Sequence, residues 1–410
     1  MRKRGGLLDP MNCYDVIIIG GGPAGCSAAA RLASSGLRVV LLEKSRMPRQ
    51  KLCGEFITSE CFPTLERLGV MKTLLAQGAQ RINRLSLVGS NGRRVEAPVS
   101  EISDKSYALS LSRARFDHVL FESARRAGAL CLERYSVKRC LYEGGRVCGV
   151  EAMSLADGKT VRFEATIVVD ASGRSSRVSL SKSDRVAGSR GSRPFALKAH
   201  LKGVEGISDQ VELYFFPGGY GGLSAIEGGL ANLCFITDEG TLKRAGGDPL
   251  RVARQTVLSN SLARERLAGA QAVGNWVSGG PLIFGRNRPA ADVIAIGDAA
   301  GMIDPFTGTG IQIALRSGEL AADAIIESLG SNSIEQAPGR DTHRLTLSSG
   351  VLSRYAERYD LEFSKRMKVA RFLRAPAFSP RMAGLFGRVL SASPRLARAV
   401  LRASRTVRRV

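Results

Sequence analysis

The chain has 410 residues, enough for about two or three domains and a sizeable buried core. Hydrophobic residues make up 44%, no repeat or low-complexity tract is visible, and no apolar run reaches the roughly 20 residues of a membrane span, which excludes disordered, fibrous and membrane-spanning classes. The 60 Lys and Arg against 37 Asp and Glu give a net charge of +23, and the stretch from Phe363 to Val410 holds thirteen basic residues and no acid.

Eight cysteines show no CxxC pair, and three histidines lie away from any cysteine cluster, so no metal site is expected. Scattered cysteines in so long a chain suit a reducing, cytoplasmic compartment. The first eleven residues, MRKRGGLLDPM, are basic without a long apolar stretch and predict a frayed lead into the first strand.

Tyr14 to Ile19 (YDVIII) reads as a strand buried on both faces. It enters Gly20-Gly21-Gly22-Pro23-Ala24-Gly25, followed by a helical pattern ended by Gly36 and a second strand closing at Glu43. This order of strand, glycine turn, helix, strand and acid predicts a dinucleotide site. Gly20 permits the tight turn, Gly22 lets backbone approach a pyrophosphate, and Gly25 allows helix to pack on strand. Pro23 opens the helix, and the free N–H groups that follow it, from Ala24 and Gly25 on, face the phosphates. Glu43, eighteen residues past Gly25, is placed to accept from a ribose diol beside Lys44.

Arg49 to Phe56 (RQKLCGEF) follows as a loop that is basic, then small, then acidic, and is expected to return along the ligand. Arg84 to Val95 predicts a hairpin with an Asn-Gly turn, and Val211 to Thr237 predicts further antiparallel strands bearing Tyr214, Phe215, Phe216, Tyr220 and Phe235. Between them, Ala165 to Asp170 is a strand turning sharply at Ala-Ser-Gly173. Asp292 to Ile296 is another buried strand, followed by Gly297-Asp298 and then Pro305-Phe306-Thr307-Gly308-Thr309-Gly310-Ile311 ahead of a long helix. Asp298 can reach a polyol, and the Thr307–Gly310 turn presents helix-start N–H groups to something electron-rich.

The stretch GDAAGMIDPFTGTGIQIALRSG resembles the second FAD fingerprint of the flavoprotein hydroxylase superfamily, especially its geranylgeranyl reductase branch. The resemblance implies that Asp298 bonds the ribityl chain, and that Pro305, Gly308, Thr309, Gly310 and Ile311 lie beside the isoalloxazine. Asp170 and Gly173, in DASG, resemble the central motif of the same superfamily, which implies that both contact the cofactor. Arg113, in Ser112-Arg-Ala-Arg-Phe-Asp117, resembles its Arg-x-x-Leu-Asp signature and so neighbours the cofactor. The Lys-x-Cys-Gly stretch implies that Lys51, Cys53, Gly54 and Glu55 line the flavin or the phosphates. Cys53 and Glu55 are the candidate catalytic residues: Cys53 is a weak hydrogen-bond donor or a small apolar wall, since the nearest cysteine in sequence, Cys61, offers no resolving partner. Glu55 is an acid or proton relay, or an exposed loop glutamate.

These readings predict an α/β protein: a discontinuous Rossmann-type FAD-binding domain (12–80, 106–182 and 283–330), an inserted antiparallel-sheet substrate domain (81–105 and 183–282), and a C-terminal helical region with a basic tail (331–410). No histidine–carboxylate pair stands out as a general base, so the chemistry is expected to rest on the flavin. With no second GxGxxG, electrons are expected from visiting NAD(P)H or a reduced electron-carrier protein. The resemblance implies reduction of C=C bonds in a lipophilic, isoprenoid-like substrate. The alternatives are a monooxygenase acting on an aromatic or polyketide substrate through a flavin hydroperoxide, and a membrane-recruited flavin module without turnover. A halogenase is disfavoured because its Trp-x-Trp-x-Ile-Pro motif is missing and the sole tryptophan is Trp276. In PRLARAVLRASRTVRRV, Arg395, Arg398, Arg402, Arg405 and Arg409 form one basic helical face, predicting peripheral attachment to anionic lipid at the inner face of the membrane. Nucleic acid is disfavoured, because the segment has no aromatic residue for base stacking.

Overall fold

The structure, a computed structural model, describes residues 13–175, 194–287, 292–331, 349–378 and 393–403. The expected frayed lead, Ser176 and Arg177 after the DASG turn, and Arg405 and Arg409 of the tail lie outside the described residues.

The apolar run at the start forms β1 (Cys13–Ile19), which feeds α1 (Pro23–Ser34) and then β2 (Val39–Glu43). β1 and β2 run parallel in the register Ile17 to Val40. Val16–Ile19 and Val39–Leu42 are covered on two faces, which is why these runs are apolar rather than alternating. Later strands complete the sheet: β5 (Leu130–Glu133), β6 (Tyr135–Glu143), β7 (Arg146–Ser154) and β8 (Thr160–Asp170). Its order is β5-β2-β1-β8-β7-β6. The last segment to join is β14 (Val293–Ala295), which pairs in parallel with the end of β8, Val169 to Ile294. That pairing brings the Gly297-Asp298 turn, far away in sequence, beside Ala24 of the glycine turn.

A second seven-stranded sheet is built from the hairpin β3 (Arg84–Val88) and β4 (Arg94–Pro98), with β9 (Pro194–Lys202), β10 (Gln210–Phe216), β11 (Gly219–Ala225), β12 (Ala231–Asp238) and β13 (Gln271–Gly279). Its order is β13-β9-β12-β11-β10-β3-β4. The expected hairpin and meander are present, but β3 joins β10 in parallel, so the two are neighbours without a local turn. Alternation divides this sheet. Leu197, Ala199, Tyr214, Phe216, Leu233 and Phe235 form a core on its outer face. Phe215, Tyr220 and Ile236 look the other way and pack with Phe306, Leu52 and Phe56 of the dinucleotide-type half.

The helix α4 (Gly310–Ser331) crosses α1, and α5 (Ser349–Phe378) lies on α4. The spacing of Val351, Tyr355, Tyr359, Phe363 and Ala370 puts one apolar stripe of α5 against the core. No helix among the described residues is long and apolar enough to cross a membrane. No group of metal-ligating side chains is found among them either.

Candidate active site

The first turn is held by close backbone contacts. A Cβ on Gly25 would stand 1.9 Å from the Gly20 carbonyl oxygen, and one on Gly20 would stand 2.5 Å from that of Ala171. Gly20 also has φ 109°, a region open to glycine. Glu43 ends β2 as expected, buried against the turn, where one carboxylate oxygen accepts the Gly21 N–H at 2.8 Å. Its other oxygen accepts the Ser45 N–H at 2.9 Å, while Lys44 points to solvent.

Arg113 opens α3 (Arg113–Arg126) and is buried rather than on the surface. It makes a two-pronged pair with Asp117, at 2.6 and 2.8 Å, and Asp117 also takes Arg49 at 2.9 Å. Lys51 lies within reach of Arg113, Arg49, Arg174 and Asp298. Burial and the neighbouring guanidinium groups of Arg49 and Arg113 push the Lys51 ammonium down to about 8. Burial raises the Asp298 carboxyl, against the pull of Lys51, Arg113 and Arg174. Three cations therefore converge on one acid at the junction of both fingerprints.

The DASG segment behaves differently from the expectation that Asp170 faces the cofactor. Asp170 is wholly buried, and its carboxylate accepts the Ser172 N–H (2.9 Å) and hydroxyl (2.6 Å), fixing the turn itself. Gly173 is the member that borders the site, next to the Lys51 ammonium. At the other fingerprint, Asp304 caps the Pro305–Thr307 turn through the Phe306 N–H (3.0 Å) and accepts the Tyr220 hydroxyl at 2.5 Å. Gly308 is left-handed and lies over the Phe56 ring, Thr309 is buried and pairs with the Thr307 hydroxyl at 2.8 Å, and Ile311 is buried at the start of α4.

FAD fits this arrangement. A Cβ on Gly54 or Gly310 would meet nothing within 4 Å, and one on Gly22 only the tip of Arg49 at 3.8 Å. These three glycines therefore edge an open cradle bounded by the helix starts of α1 and α4 and by the Lys51–Asp298–Arg113 cluster. The cradle offers N–H groups for phosphates, an acid for a polyol, and cations for a ring that gains negative charge on reduction.

Two placements were not legible in the sequence. Glu55 is not an exposed loop residue: it is wholly buried, with φ 57°, and pairs with Lys198 and with His200, whose Nε2 lies 2.7 Å from its carboxylate. A histidine–carboxylate pair thus exists, contrary to the expectation of none, because β9 and the 49–56 loop meet only in the fold. The signal was a charged Lys198 and a His200 two apart in an otherwise apolar strand, which puts both on one face. Cys53 sits half-buried and its sulfur accepts the Glu55 N–H at 3.3 Å. Its electrostatic neighbour is Cys234 of β12, whose thiol burial pushes up to about 12, whereas Cys61 is buried in the core.

Known proteins place the chain in a family. A domain family described as FAD binding domain matches residues 13–212. Digeranylgeranylglycerophospholipid reductase 2 of Methanopyrus kandleri is 30% identical over 87% of this chain and 85% of its own. Among solved structures, a geranylgeranyl bacteriochlorophyll reductase-like protein of Thermoplasma acidophilum superposes with a TM-score of 0.74 at 22% identity, over 96% of both chains. The flavin-dependent brominase Bmp2, as a triple mutant, gives 0.76 at 21% identity over 95% of this chain and 94% of its own, a likeness of fold. The chain is an FAD-dependent oxidoreductase and belongs to the geranylgeranyl reductase family.

Proposed function

We propose that this enzyme reduces C=C bonds of a lipophilic, isoprenoid-like substrate. The observation that carries the reading is the apolar cluster beside the cradle. Phe215, Tyr220 and Ile236 of the second sheet meet Leu52, Phe56 and Phe306 of the two cofactor loops. Leu52 and Phe56 are the half-buried members of that cluster and give the cradle an apolar rim. A long hydrocarbon is the ligand that such a rim recognises, and burying it gains about 25 cal/mol per Å² of apolar surface. Bound FAD supplies a hydride. The chain's part is to hold the chain-like substrate on the apolar wall, exclude water, and keep Lys51, Arg113 and Arg174 near developing negative charge. The proposed residues in contact with the cofactor are Gly20, Gly22, Ala24, Gly25, Glu43, Lys51, Cys53, Gly54, Arg113, Gly173, Asp298, Pro305, Gly308 and Gly310. NAD(P)H or a reduced carrier protein is the proposed electron donor. The name of the Methanopyrus relative supports the substrate class.

The test uses FAD-loaded protein reduced without oxygen and then mixed with geranylgeraniol or with dioxygen. Faster flavin reoxidation by the alkene, with a saturated product, supports the reductase. Slow reaction with the alkene, and fast reaction with dioxygen that an aromatic ligand accelerates, favours the monooxygenase.

We also propose that the enzyme works peripherally at the inner membrane face. The tail is a weaker support than its sequence implied. In α6 (Pro394–Ala403), Arg398 reaches the Glu101 carboxylate at 2.7 Å and Arg402 the Glu101 carbonyl at 2.5 Å. The firmer support is on α5, where Leu361 and Phe372 are 71% and 79% exposed, eleven residues apart on one stripe, among exposed Lys365, Lys368 and Arg371. Flotation with phosphatidylglycerol vesicles, lost on Leu361→Ser with Phe372→Ser, tests this. Equal flotation of that variant refutes the surface.

A further inference from the structure

The Lys198–Glu55–His200 cluster is built asymmetrically. Lys198 Nζ donates to Glu55 Oε1, to Gln50 Oε1 at 3.3 Å and to the Lys51 carbonyl at 3.1 Å. An ammonium has three protons, so this one is saturated and acts as a clamp between β9 and the cofactor loop. Glu55 Oε1 also accepts the Arg113 N–H at 2.7 Å, and its Oε2 faces His200 Nε2. Lys198 and Glu55 have side chains 1% and 0% exposed; His200 is 11% exposed. Only the imidazole therefore reaches accessible surface. Its strand partner Asn232 donates to the Cys53 carbonyl at 3.2 Å, which sets the imidazole beside the Cys53–Gly54 stretch whose glycine faces open space.

We propose that His200 is the proton-transferring residue of this site, with Glu55 as its positioning carboxylate. The inference rests on the reading of the cradle as a flavin site. A carboxylate on Nε2 keeps a proton there and fixes the ring, leaving Nδ1 as the atom that exchanges protons with the site. Glu55, wholly buried, acts through the imidazole rather than on a ligand.

The step balances for either acceptor. With an alkene, a hydride from reduced FAD forms one C–H bond and the Nδ1 proton forms the other, as the π bond breaks. With dioxygen, a hydride equivalent and the Nδ1 proton make hydrogen peroxide and leave oxidised FAD. A proton from bulk solvent then restores Nδ1, so each turnover consumes one proton from solution. Facing His200 and Glu55 are Lys198 from β9, Gln50, Lys51 and Cys53 from the loop, Arg113 from α3, Asn232 and Cys234 from β12, and Val273 from β13. Burial and the neighbouring guanidinium groups hold the Lys51 ammonium down to about 8, inside the same pH range, so only the difference between wild type and variant is diagnostic.

The experiment uses full-length holoenzyme, photoreduced without oxygen and mixed with dioxygen between about pH 5.5 and 9. His200→Ala is expected to slow reoxidation on the order of 10²-fold, the usual weight of a general acid, and added imidazole to recover about tenfold. His200→Gln and Glu55→Gln should lose the same ionisation from the pH profile, imidazole should rescue neither, and FAD affinity should stay within about threefold in all. Superimposable profiles with no imidazole effect overturn the proposal and leave the flavin reading intact, as does a His200→Ala protein that loses FAD. Wild type that fails to hold FAD overturns both.

Discussion

Lys198→Met removes the clamp of a wholly buried pair while keeping its length, so its consequence can be worked from the contacts. The ammonium satisfies Glu55 Oε1, Gln50 Oε1 and the Lys51 carbonyl, and the carboxylate it leaves is 0% exposed. Breaking one side of such a pair costs about 3–5 kcal/mol, because the remaining charge stays in a low-dielectric site. Replacing both charges, Lys198→Met with Glu55→Gln, removes a buried carboxylate charge that would otherwise keep only His200 and the Arg113 N–H, and should recover most of that loss, leaving about 1–2 kcal/mol from the unmade hydrogen bonds. The assay is urea unfolding of apoprotein followed by fluorescence of Trp276. It is the sole tryptophan, lies in β13 and packs edge-on to Phe235 at 6.1 Å. At about 2 kcal/mol per molar urea, the single variant should lower the midpoint by about 1.5–2.5 M and the double by under about 1 M. A single-variant loss below about 1 kcal/mol, or a double variant equal to the sum of Lys198→Met and Glu55→Gln, would refute the picture of a charge held by its partner.

Gly25→Ala places a methyl 1.9 Å from the Gly20 oxygen, so the turn must open; FAD binding should be lost in equilibrium dialysis while the second sheet still unfolds cooperatively. Lys51, lowered from 10.5 to about 8, is penalised while charged. Because the unfolded chain binds more protons between those values, its contribution to stability rises from pH 8 toward 10.5, and Lys51→Met should flatten that rise in urea midpoints. Over the same pH rise FAD should bind more weakly to wild type than to the Lys51→Met protein relative to each at pH 7, since a cation is lost from the cradle. Tyr220→Phe removes the 2.5 Å bond to Asp304 and should cost about 1.5–3 kcal/mol, read from thermal melts, with a smaller change in FAD affinity because the Phe306 N–H still donates to Asp304.

Local patterns settled much about this protein. A β-branched run, a glycine turn too tight for any Cβ at Gly25, and an acid ending the next strand identify a dinucleotide fold from within about thirty residues, since each is dictated by short-range backbone sterics and hydrogen bonding. The Asn-Gly hairpin and the Pro305–Gly310 turn are legible for the same reason. What the sequence did not disclose are the meetings between segments far apart. Asp170 looks like a ligand-facing acid until its Ser172 bonds are seen. Arg398 looks available to lipid until Glu101, nearly three hundred residues earlier, is found beside it. Glu55 reads equally as a proton relay or as an exposed loop acid until β9 delivers Lys198 and His200 to it from about 145 residues away. Burial and charge pairing are properties of the packed interior, and there the tertiary structure alone decided which ionisable groups hold the fold and which are left to act.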